Sequence, residues 1–363
     1  MASKKSSTDF IFFFLVIVLL SIGVIMVFSS SAYTAARDLG DPYYYVRRQL
    51  IWATLGLIGM FIASKVDLQW LKSMSNIILL GSLILLVLVL IIGSTRGGAS
   101  RWIGIGSLSF QPSEVIKLAM VIYMAKSLSV NSYKLKSFTK GLFPYLALIG
   151  LVCLLILAQP DLGTAVAVAG TSYLLLAVAG ARGSHLFVLA LSGVGAVIAA
   201  ILLEPYRLRR FTAFLDPYAD PIGAGFQTIQ SLLALGSGGL FGVGLARGVQ
   251  KCYYIPERHT DFIYAVLGEE LGFIGAAFVL LVFLFFVWRG FKIAVSTHDS
   301  FMSLLAAGIT IMITLQAVIN IGVVTGSMPV TGITLPFISY GGSSLVFTLV
   351  GVGLVLNVSR YSS

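Results

Sequence analysis

Long apolar stretches interrupted by very few charges restrict the fold of this chain more than any other feature. The first, "FIFFFLVIVLLSIGVIMVFSSSA", follows Lys5, and many similar stretches come after it. About 20 apolar residues in a helix cross a hydrocarbon core of ~30 Å. Only 10% of the residues are charged, whereas a soluble domain carries about 25%. The sequence therefore predicts an all-α, polytopic integral membrane protein in which residues 1–363 form one helical bundle.

Ten membrane spans are predicted, and one long loop separates the seventh from the eighth. The loop covers residues 204–261 and contains "FQTIQSLLALG", a pattern typical of a short amphipathic helix at the membrane interface. Because the number of spans is even, both termini lie on the same side. The predicted spans cover residues 10–30, 48–64, 75–94, 113–128, 142–158, 163–180, 185–203, 262–288, 300–324 and 339–358.

The basic residues differ in type between the two faces of this topology. With both termini inside, the inner loops carry mainly lysines and the outer loops almost only arginines, in nearly equal numbers. Charge counts alone therefore do not fix the orientation. Guanidinium groups bind phosphates through two parallel hydrogen bonds, which favours an anionic ligand outside; contact with lipid headgroups is the alternative. A chain so largely embedded in a membrane is not expected to bind nucleic acid.

Two acidic motifs lie at the ends of predicted spans. In "RWIGIGSLSFQPSEVIKLAM", Pro112 suits the first turn of a helix, and Glu114 and Lys117 are three residues apart, so they can pair. Ionisable groups at this depth indicate a functional site, although an ion pair that braces the bundle is the alternative. In "AQPDLGTAVAVAG", Asp161 is predicted to cap the sixth span.

The stretch "YYIPERHTDFIYAVLGEELG" concentrates ionisable groups at the start of the eighth span. Asp261 lies where the loop becomes a helix, and its position allows two interpretations: a catalytic base beside an apolar run, or an N-cap residue. Glu269 and Glu270 are interpreted as groups that brace the bundle.

The late run "NIGVVTGSMPVTGITLPFISYGGSS" is broken by prolines and glycines. Irregular backbone at membrane depth needs cover from protein or a water-filled cavity. We therefore predict a cavity on the outer side, lined by Glu114, Lys117, Asp261 and residues 325–344.

Four motifs together resemble those of the SEDS family (shape, elongation, division and sporulation): "PERHTDFIYAVLGEELG", "RWIGIGSLSFQPSEVIKLA", "QSLLALGSGGLFGVGL" and "MPVTGITLPFISYGGSS". The resemblance covers essentially the whole chain. Within the family, "GVGLARGVQKCYYIPERHTDF" and the ending "NVSRYSS" are more similar to the FtsW/SpoVE branch than to the RodA branch.

The resemblance implies a ten-helix peptidoglycan glycosyltransferase that polymerises lipid II at the outer face of the bacterial cytoplasmic membrane, in cell division or sporulation. The family's essential aspartate falls on Asp261, and its functionally sensitive glutamate and lysine fall on Glu114 and Lys117. The implied partners are lipid II, a class B penicillin-binding protein transpeptidase, and other division or sporulation membrane proteins.

The chemistry of such a polymerase agrees with the residues available. A lipid diphosphate leaves readily once its charge is neutralised, so one base and several cations suffice, and Asp261 is the predicted base. The sequence has no Cys/His spacing typical of a metal site, and a divalent cation, Mg²⁺ or Mn²⁺, stays open as a cofactor. The residues predicted to bind the substrate are Glu114, Lys117, Arg101, Arg207, Arg209, Arg210, Arg247, Lys251, Arg258, Ser339 and Ser343.

Two other functions remain open on sequence alone. A lipid II flippase would also use an acid–base pair near the midplane, broken helices and a large cavity, but it needs essential charges on a path that reaches both faces. A scaffold that only activates a transpeptidase gives Asp261 no role.

Overall fold

The computed structural model describes residues 8–96, 99–105, 108–252 and 254–362, and within these ranges the chain forms twelve α-helices. Four of them begin at an aspartate whose carboxylate accepts a backbone N–H of the first turn: Asp9, Asp67, Asp161 and Asp299. The helices are α1 (Phe10–Leu39), α2 (Tyr44–Ala63), α3 (Leu68–Ile92), α4 (Pro112–Asn131), α5 (Phe143–Leu157), α6 (Leu162–Val178), α7 (Gly183–Leu202), α8 (Pro205–Leu215), α9 (Phe226–Gly238), α10 (Ile263–Val295), α11 (Ser300–Val324) and α12 (Gly342–Ser359).

Within the described ranges, eight helical segments are long and apolar enough to cross a membrane: α1, α2, α3, α7, α10, α11, α12, and α5 together with the π-helical turn Phe138–Leu142 before it. The other two predicted spans correspond to α4, which carries Glu114, Lys117 and Lys126, and α6, which has 17 residues. Both pack against α11 inside the bundle. The predicted polytopic helical membrane bundle is therefore confirmed, and the loop 204–261 contains α8 and α9.

The centre of the bundle is α11, which is buried along most of its length and packs against α4, α6, α9, α10 and α12. Its buried polar residues Gln316 and Asn320 therefore lie in the interior of the molecule. At the periphery, Ile201 is the one buried residue of α7, so that helix presents nearly its whole surface to the surroundings.

The start of α1 and the end of α12 lie together at one end of the bundle. The backbone N–H of Asp9 donates to Ser359 Oγ at 3.0 Å, and Arg289 Nε forms an ion pair with Asp9 Oδ2 at 2.7 Å. This arrangement agrees with the even number of predicted spans. The loop 204–261 and the start of α4 lie at the opposite end.

Three short strands connect α3 to α4, and the all-α prediction did not include them. They are β1 (Ser94–Arg96), β2 (Ala99–Ile105) and β3 (Leu108–Phe110), antiparallel and in the order β1-β2-β3. The alternation of apolar residues in "WIGIGSLSF" is the sequence signal for them, and it is short beside the apolar spans.

The predicted eighth span is not one continuous helix, because α10 is interrupted at Gly272. This residue has φ +68°, a left-handed conformation that glycine adopts without strain. Residues 239–244 lie beside the break and replace the missing backbone hydrogen bonds of the helix. Four bonds join the two segments: Val243 N–H to Glu269 O (3.0 Å), Gly244 N–H to Glu270 O (3.1 Å), Phe273 N–H to Gly239 O (2.8 Å) and Ile274 N–H to Leu240 O (3.2 Å).

Candidate active site

A cavity of about 420 Å³ opens at the end of the bundle opposite the termini. That volume lies within the range of ligand sites, roughly 300–1,000 Å³. The cavity brings together the predicted residues Glu114, Lys117 and Asp261 with part of the broken segment before α12. Its lining consists of Arg48, Trp52, Arg101, Trp102, Gln111, Glu114, Lys117, Asp161, Thr164, Ala167, Glu257, Thr260, Asp261, Gln316, Gly332, Ile333, Thr334, Tyr340, Gly341, Gly342 and Ser344.

A buried ion pair from the first turns of α4 forms part of the cavity wall. Lys117 Nζ lies 2.8 Å from Glu114 Oε2, so the predicted pairing is confirmed. Lys117 Nζ also donates to Gln316 Oε1 at 2.9 Å, and Gln316 Nε2 donates to Thr334 O at 3.1 Å. This chain of bonds connects α4, α11 and the broken segment, and the sequence interpretation did not identify Gln316.

Two polar side chains fix the backbone around Asp261. Asn320 Nδ2 donates to both Asp261 O and Ile333 O at 2.7 Å. Ser339 Oγ donates to Thr260 O at 2.6 Å and accepts the Leu335 N–H. Ser339, which was predicted to bind substrate, is thus engaged with backbone. Asn320, which was not predicted, holds the loop that carries Asp261.

In contrast to its backbone, the side chain of Asp261 is not held by any of the described residues. The N-cap residue of α10 is Phe262 and makes no side-chain capping bond, so Asp261 does not cap the helix. Within the described part of the chain, no hydrogen bond reaches its carboxylate, which faces the cavity near Gly332. Burial raises the pKa of Asp261 to about 7, with further raising by Glu257 and partial lowering by Arg210. A carboxyl group with this pKa can accept a proton near neutral pH.

The other aspartate that lines the cavity, Asp161, has a structural role. Its Oδ1 accepts the Thr164 N–H at 3.0 Å, so the predicted capping role is confirmed. Arg101 lies 3.9 Å from its Oδ2 and donates through Nε to Gln159 O at 2.9 Å and through a terminal nitrogen to Pro160 O. Arg101 therefore lines the cavity while several of its donors hold the α5–α6 turn.

The other predicted arginines are spread over the outer end of the bundle. Arg210 on α8 donates to Val330 O at 3.2 Å, and its charge lowers the pKa of Asp261. Arg207 donates to Ala200 O at 3.1 Å. Arg209 and Arg247 are exposed, and Arg258 is half-buried beside His259 without lining the cavity.

Lys251 and Ser343 lie away from the cavity lining. Lys251 Nζ forms a buried ion pair with Glu270 Oε1 at 2.6 Å and contacts Ser29 Oγ at 3.2 Å. Glu269 Oε1 accepts the N–H groups of Val249 (2.7 Å) and Gln250 (3.1 Å). The two glutamates thus hold the loop onto α10, as expected for bracing groups. Ser343 Oγ accepts the Gln111 N–H at 3.3 Å.

An aromatic cluster lies beside the cavity and was not predicted. The rings of Tyr45 and His259 have centroids 4.4 Å apart, and Tyr340 lies 5.4 Å from Tyr45 in an edge-to-face arrangement. Arg48 hydrogen-bonds to Tyr340 and lines the cavity. Burial lowers the pKa of His259 to about 4, so its ring is neutral at neutral pH and does not compete with Asp261 as the titrating group.

A preformed metal site is absent from the described ranges, where no three His, Cys, Asp or Glu side chains converge. Among the cavity carboxylates, Asp261 and Glu257 would supply part of the coordination of a Mg²⁺ or Mn²⁺ ion, and substrate phosphates commonly supply the rest. A divalent cation therefore stays a prediction.

The chain matches the family model of the FtsW, RodA and SpoVE cell cycle proteins over residues 9–363. It is 48% identical over 364 residues to stage V sporulation protein E of Bacillus subtilis (strain 168), covering 100% of both chains. It is 45% identical to the "Probable peptidoglycan glycosyltransferase FtsW" of Geobacter sp. (strain M18), covering 97% of this chain and 96% of that protein.

Two solved structures share the fold. One is a chain of a peptidoglycan synthase complex in which polymerization and crosslinking are coordinated (TM-score 0.82, 34% identity, 97% of this chain and 98% of that chain). The other is the rod shape determining protein RodA of Thermus thermophilus (TM-score 0.70, 31% identity, 98% of both chains). The predicted resemblance is confirmed: the chain belongs to the FtsW/RodA/SpoVE family of cell cycle proteins.

Proposed function

We propose that this chain is a peptidoglycan glycosyltransferase that polymerises lipid II, with Asp261 as the general base. Its membership of a family that includes proteins named peptidoglycan glycosyltransferases supports the activity. The observation that carries the role of Asp261 is its carboxylate, which lines the cavity, makes no capping bond and has a pKa raised to about 7.

The proposed reaction joins two lipid-linked disaccharides. A sugar hydroxyl of one molecule attacks the anomeric carbon of the other, and a new C–O bond forms as the bond to the diphosphate oxygen breaks. The anomeric centre inverts, because attack and departure take place on opposite faces. The hydroxyl proton passes to the Asp261 carboxylate, and the lipid diphosphate leaves with the bonding electron pair.

Cations on the cavity wall favour the departure of the diphosphate. Lys117, Arg48 and Arg101 line the cavity, and Arg210 lies close enough to influence Asp261. Fixed positive groups that face developing negative charge stabilise a transition state. No acid is needed for this leaving group, which agrees with the second cavity aspartate, Asp161, being committed to capping α6.

The proposal extends to the partner and to the orientation in the membrane. Polymerization and crosslinking are coordinated in the complex that contains a similar chain, so we propose a class B penicillin-binding protein transpeptidase as partner. Lipid II polymerisation takes place outside the cell. The cavity end therefore faces outward from the bacterial cytoplasmic membrane, and both termini, at the other end, are cytoplasmic.

The pH profile of polymerisation should report Asp261. A general base must be ionised, so the rate should rise about tenfold per pH unit below the pKa and level off above it. With a pKa near 7, the bend should lie near neutrality in single-turnover assays at limiting lipid II, which report the free enzyme. A flat profile from about pH 5.5 to about 8.5, three units centred on the pKa of about 7, would contradict this assignment.

Two neighbouring arginines of α8, Arg210 and Arg209, provide a test substitution and its control. Arg210 is held at Val330 O and influences Asp261, whereas Arg209 is exposed. Arg210→Lys keeps the charge and loses the planar fork, so we expect an activity about tenfold lower with the melting temperature unchanged. Arg209→Lys should be close to wild type. Equal effects of the two substitutions at limiting lipid II would assign α8 to the membrane interface instead.

The enzyme proposal is tested by polymerisation of labelled lipid II by the purified protein, alone and with the candidate transpeptidase. Glycan chains should form without any other polymerase present. Transfer of lipid II across a proteoliposome membrane without chain growth would support the flippase, and no activity of either kind unless a second polymerase is added would support the scaffold.

A further inference from the structure

A second concave site lies at the end of the bundle that holds both termini, away from the candidate active site. It is a pocket of about 530 Å³, which we call the basic pocket. It is formed by the 3₁₀ turn Ser132–Lys136 after α4, the π-helical turn Phe138–Leu142 and the turn between α6 and α7. Its lining consists of Tyr133, Lys134, Lys136, Ser137, Lys140 and Arg182.

The basic pocket holds four positive charges and lacks an acidic lining residue. In the described part of the chain, none of the four forms an ion pair with a carboxylate. A pocket of this volume is on the order of 10 Å across, close to the Debye length of about 8 Å at physiological salt, so the fields of the four groups overlap. The pocket therefore attracts an anion, and one with several charges most strongly.

The backbone holds these lysines in a defined arrangement. A Cβ at Gly141 would collide with the Lys134 carbonyl, so the π-helical turn packs directly on the 3₁₀ turn. This contact places Lys134 and Lys140 together. Both also line a neighbouring cavity of about 210 Å³ that contains Asn131 and Tyr145. The two cavities therefore share these two lysines.

Exposed aromatic residues around the basic pocket indicate where its ligand comes from. Tyr133, Phe138 and Phe143 are 69%, 42% and 58% exposed; Tyr133 follows α4, and the two phenylalanines lie in the first two turns of the span Phe138–Leu157. Aromatic side chains at such positions lie at headgroup level in a bilayer. Basic pockets between helices at this level bind anionic headgroups. We propose that the basic pocket binds the headgroup of an anionic phospholipid, independently of the proposed polymerase activity.

The test compares two triple variants that lose the same charge at the same end of the bundle. Lys134→Gln/Lys136→Gln/Lys140→Gln removes most of the pocket charge. The control, Lys65→Gln/Lys72→Gln/Lys292→Gln, removes lysines that lie over the rings of Phe61, Phe301 and Trp288. The full-length protein in neutral detergent is titrated with cardiolipin or phosphatidylcholine, and bound lipid is counted by native mass spectrometry.

Wild-type protein should bind cardiolipin in preference to phosphatidylcholine. The pocket variant should lose roughly 100-fold in cardiolipin affinity, about fivefold for each lysine, and the control should change less than about threefold. Gly141→Ala keeps every charge and disturbs the contact between the two turns, so it should also weaken binding.

Three results would overturn the proposal. An equal loss in the control variant would show a diffuse attraction without a site. Full competition by inorganic phosphate would identify a free anion as the ligand. Binding of a polyglutamate peptide without binding of cardiolipin would identify an acidic protein segment.

Discussion

Asp261→Asn is expected to lower glycan synthesis by at least ~10²-fold while leaving the fold intact, because an amide cannot take the acceptor proton at neutral pH. The carboxylate makes no capping bond, so the substitution removes no structural contact of that kind. Because folding raises the pKa of Asp261 from 3.8 to about 7, its ionisation lowers stability progressively between those two pH values, and the full cost applies above about 7. At pH 8 the neutral asparagine should therefore be at least as stable as the aspartate.

Asp216→Asn is the matched control for this experiment. Asp216 lies in the same loop, is exposed, and its side chain accepts the Tyr218 N–H, a bond that asparagine can also accept. Melting temperature, lipid II binding and chain formation should be measured on the same preparations. Asp261→Asn should retain binding, since the cavity cations hold the diphosphate. A folded Asp261→Asn protein that polymerises lipid II at the wild-type rate would exclude Asp261 as the base.

Lys251→Ala is expected to lower the free energy of unfolding by about 3–5 kcal/mol, because it leaves the buried carboxylate of Glu270 without its cation. The two charged atoms are 2.6 Å apart, and the side chains are 5% and 0% exposed. Removing both charges in Lys251→Met/Glu270→Gln should recover part of the loss, since no unpaired charge stays buried and the new amide oxygen can still accept the Ala246 N–H.

Arg247→Ala serves as the control for Lys251, since it removes an exposed cation four residues earlier in the same loop. Its effect on stability should stay within about 0.5 kcal/mol. Unfolding in detergent, followed by tryptophan fluorescence, measures all these variants. A Lys251→Ala protein of normal stability but with a raised KM for lipid II would instead support the prediction that Lys251 binds substrate.

The parts of the molecule that depend on neighbouring residues could be predicted from the sequence. The spans follow from the length of the apolar stretches, the Glu114–Lys117 pair from a spacing of three residues, and the cap at Asp161 from its place before an apolar run. Each of these signals lies within one continuous stretch of sequence, from a single turn for the pair and the cap to one helix for a span. Their physical cause is local and is therefore visible in a short stretch of sequence.

Contacts between distant parts of the chain could not be predicted. Lys117 meets Gln316 across 199 positions, and Asn320 holds the Asp261 backbone across 59. In the sequence, Lys251 cannot be told apart from the other cations of the outer loops. The loop folds back onto α10, however, and buries Lys251 against Glu270, 19 positions later. A glutamine or asparagine inside an apolar helix is the available signal for such contacts, because a buried amide needs partners, but it does not identify them.

The two interpretations of Asp261 differed by the position of a helix boundary. A start at Phe262 would have made Asp261 the N-cap; the helix starts at Ile263, and Phe262 occupies the cap position. Here the boundary follows from Asn320 and Ser339 holding residues 260–261, which the local sequence does not encode.

Four backbone hydrogen bonds join residues 239–244 to the break in α10. This joint limits which segments can be exchanged between this chain and a relative. A hybrid made by exchanging the loop 204–261 between two relatives would take one side of the joint from each parent. Gly238 and Gly242 pack directly on the Gly268 and Glu270 carbonyls, with no room for a methyl group, so any side chain brought to either position would collide. A cassette that carries the whole loop together with both sides of the joint is residues 204–274, and it contains the first turns of a membrane helix.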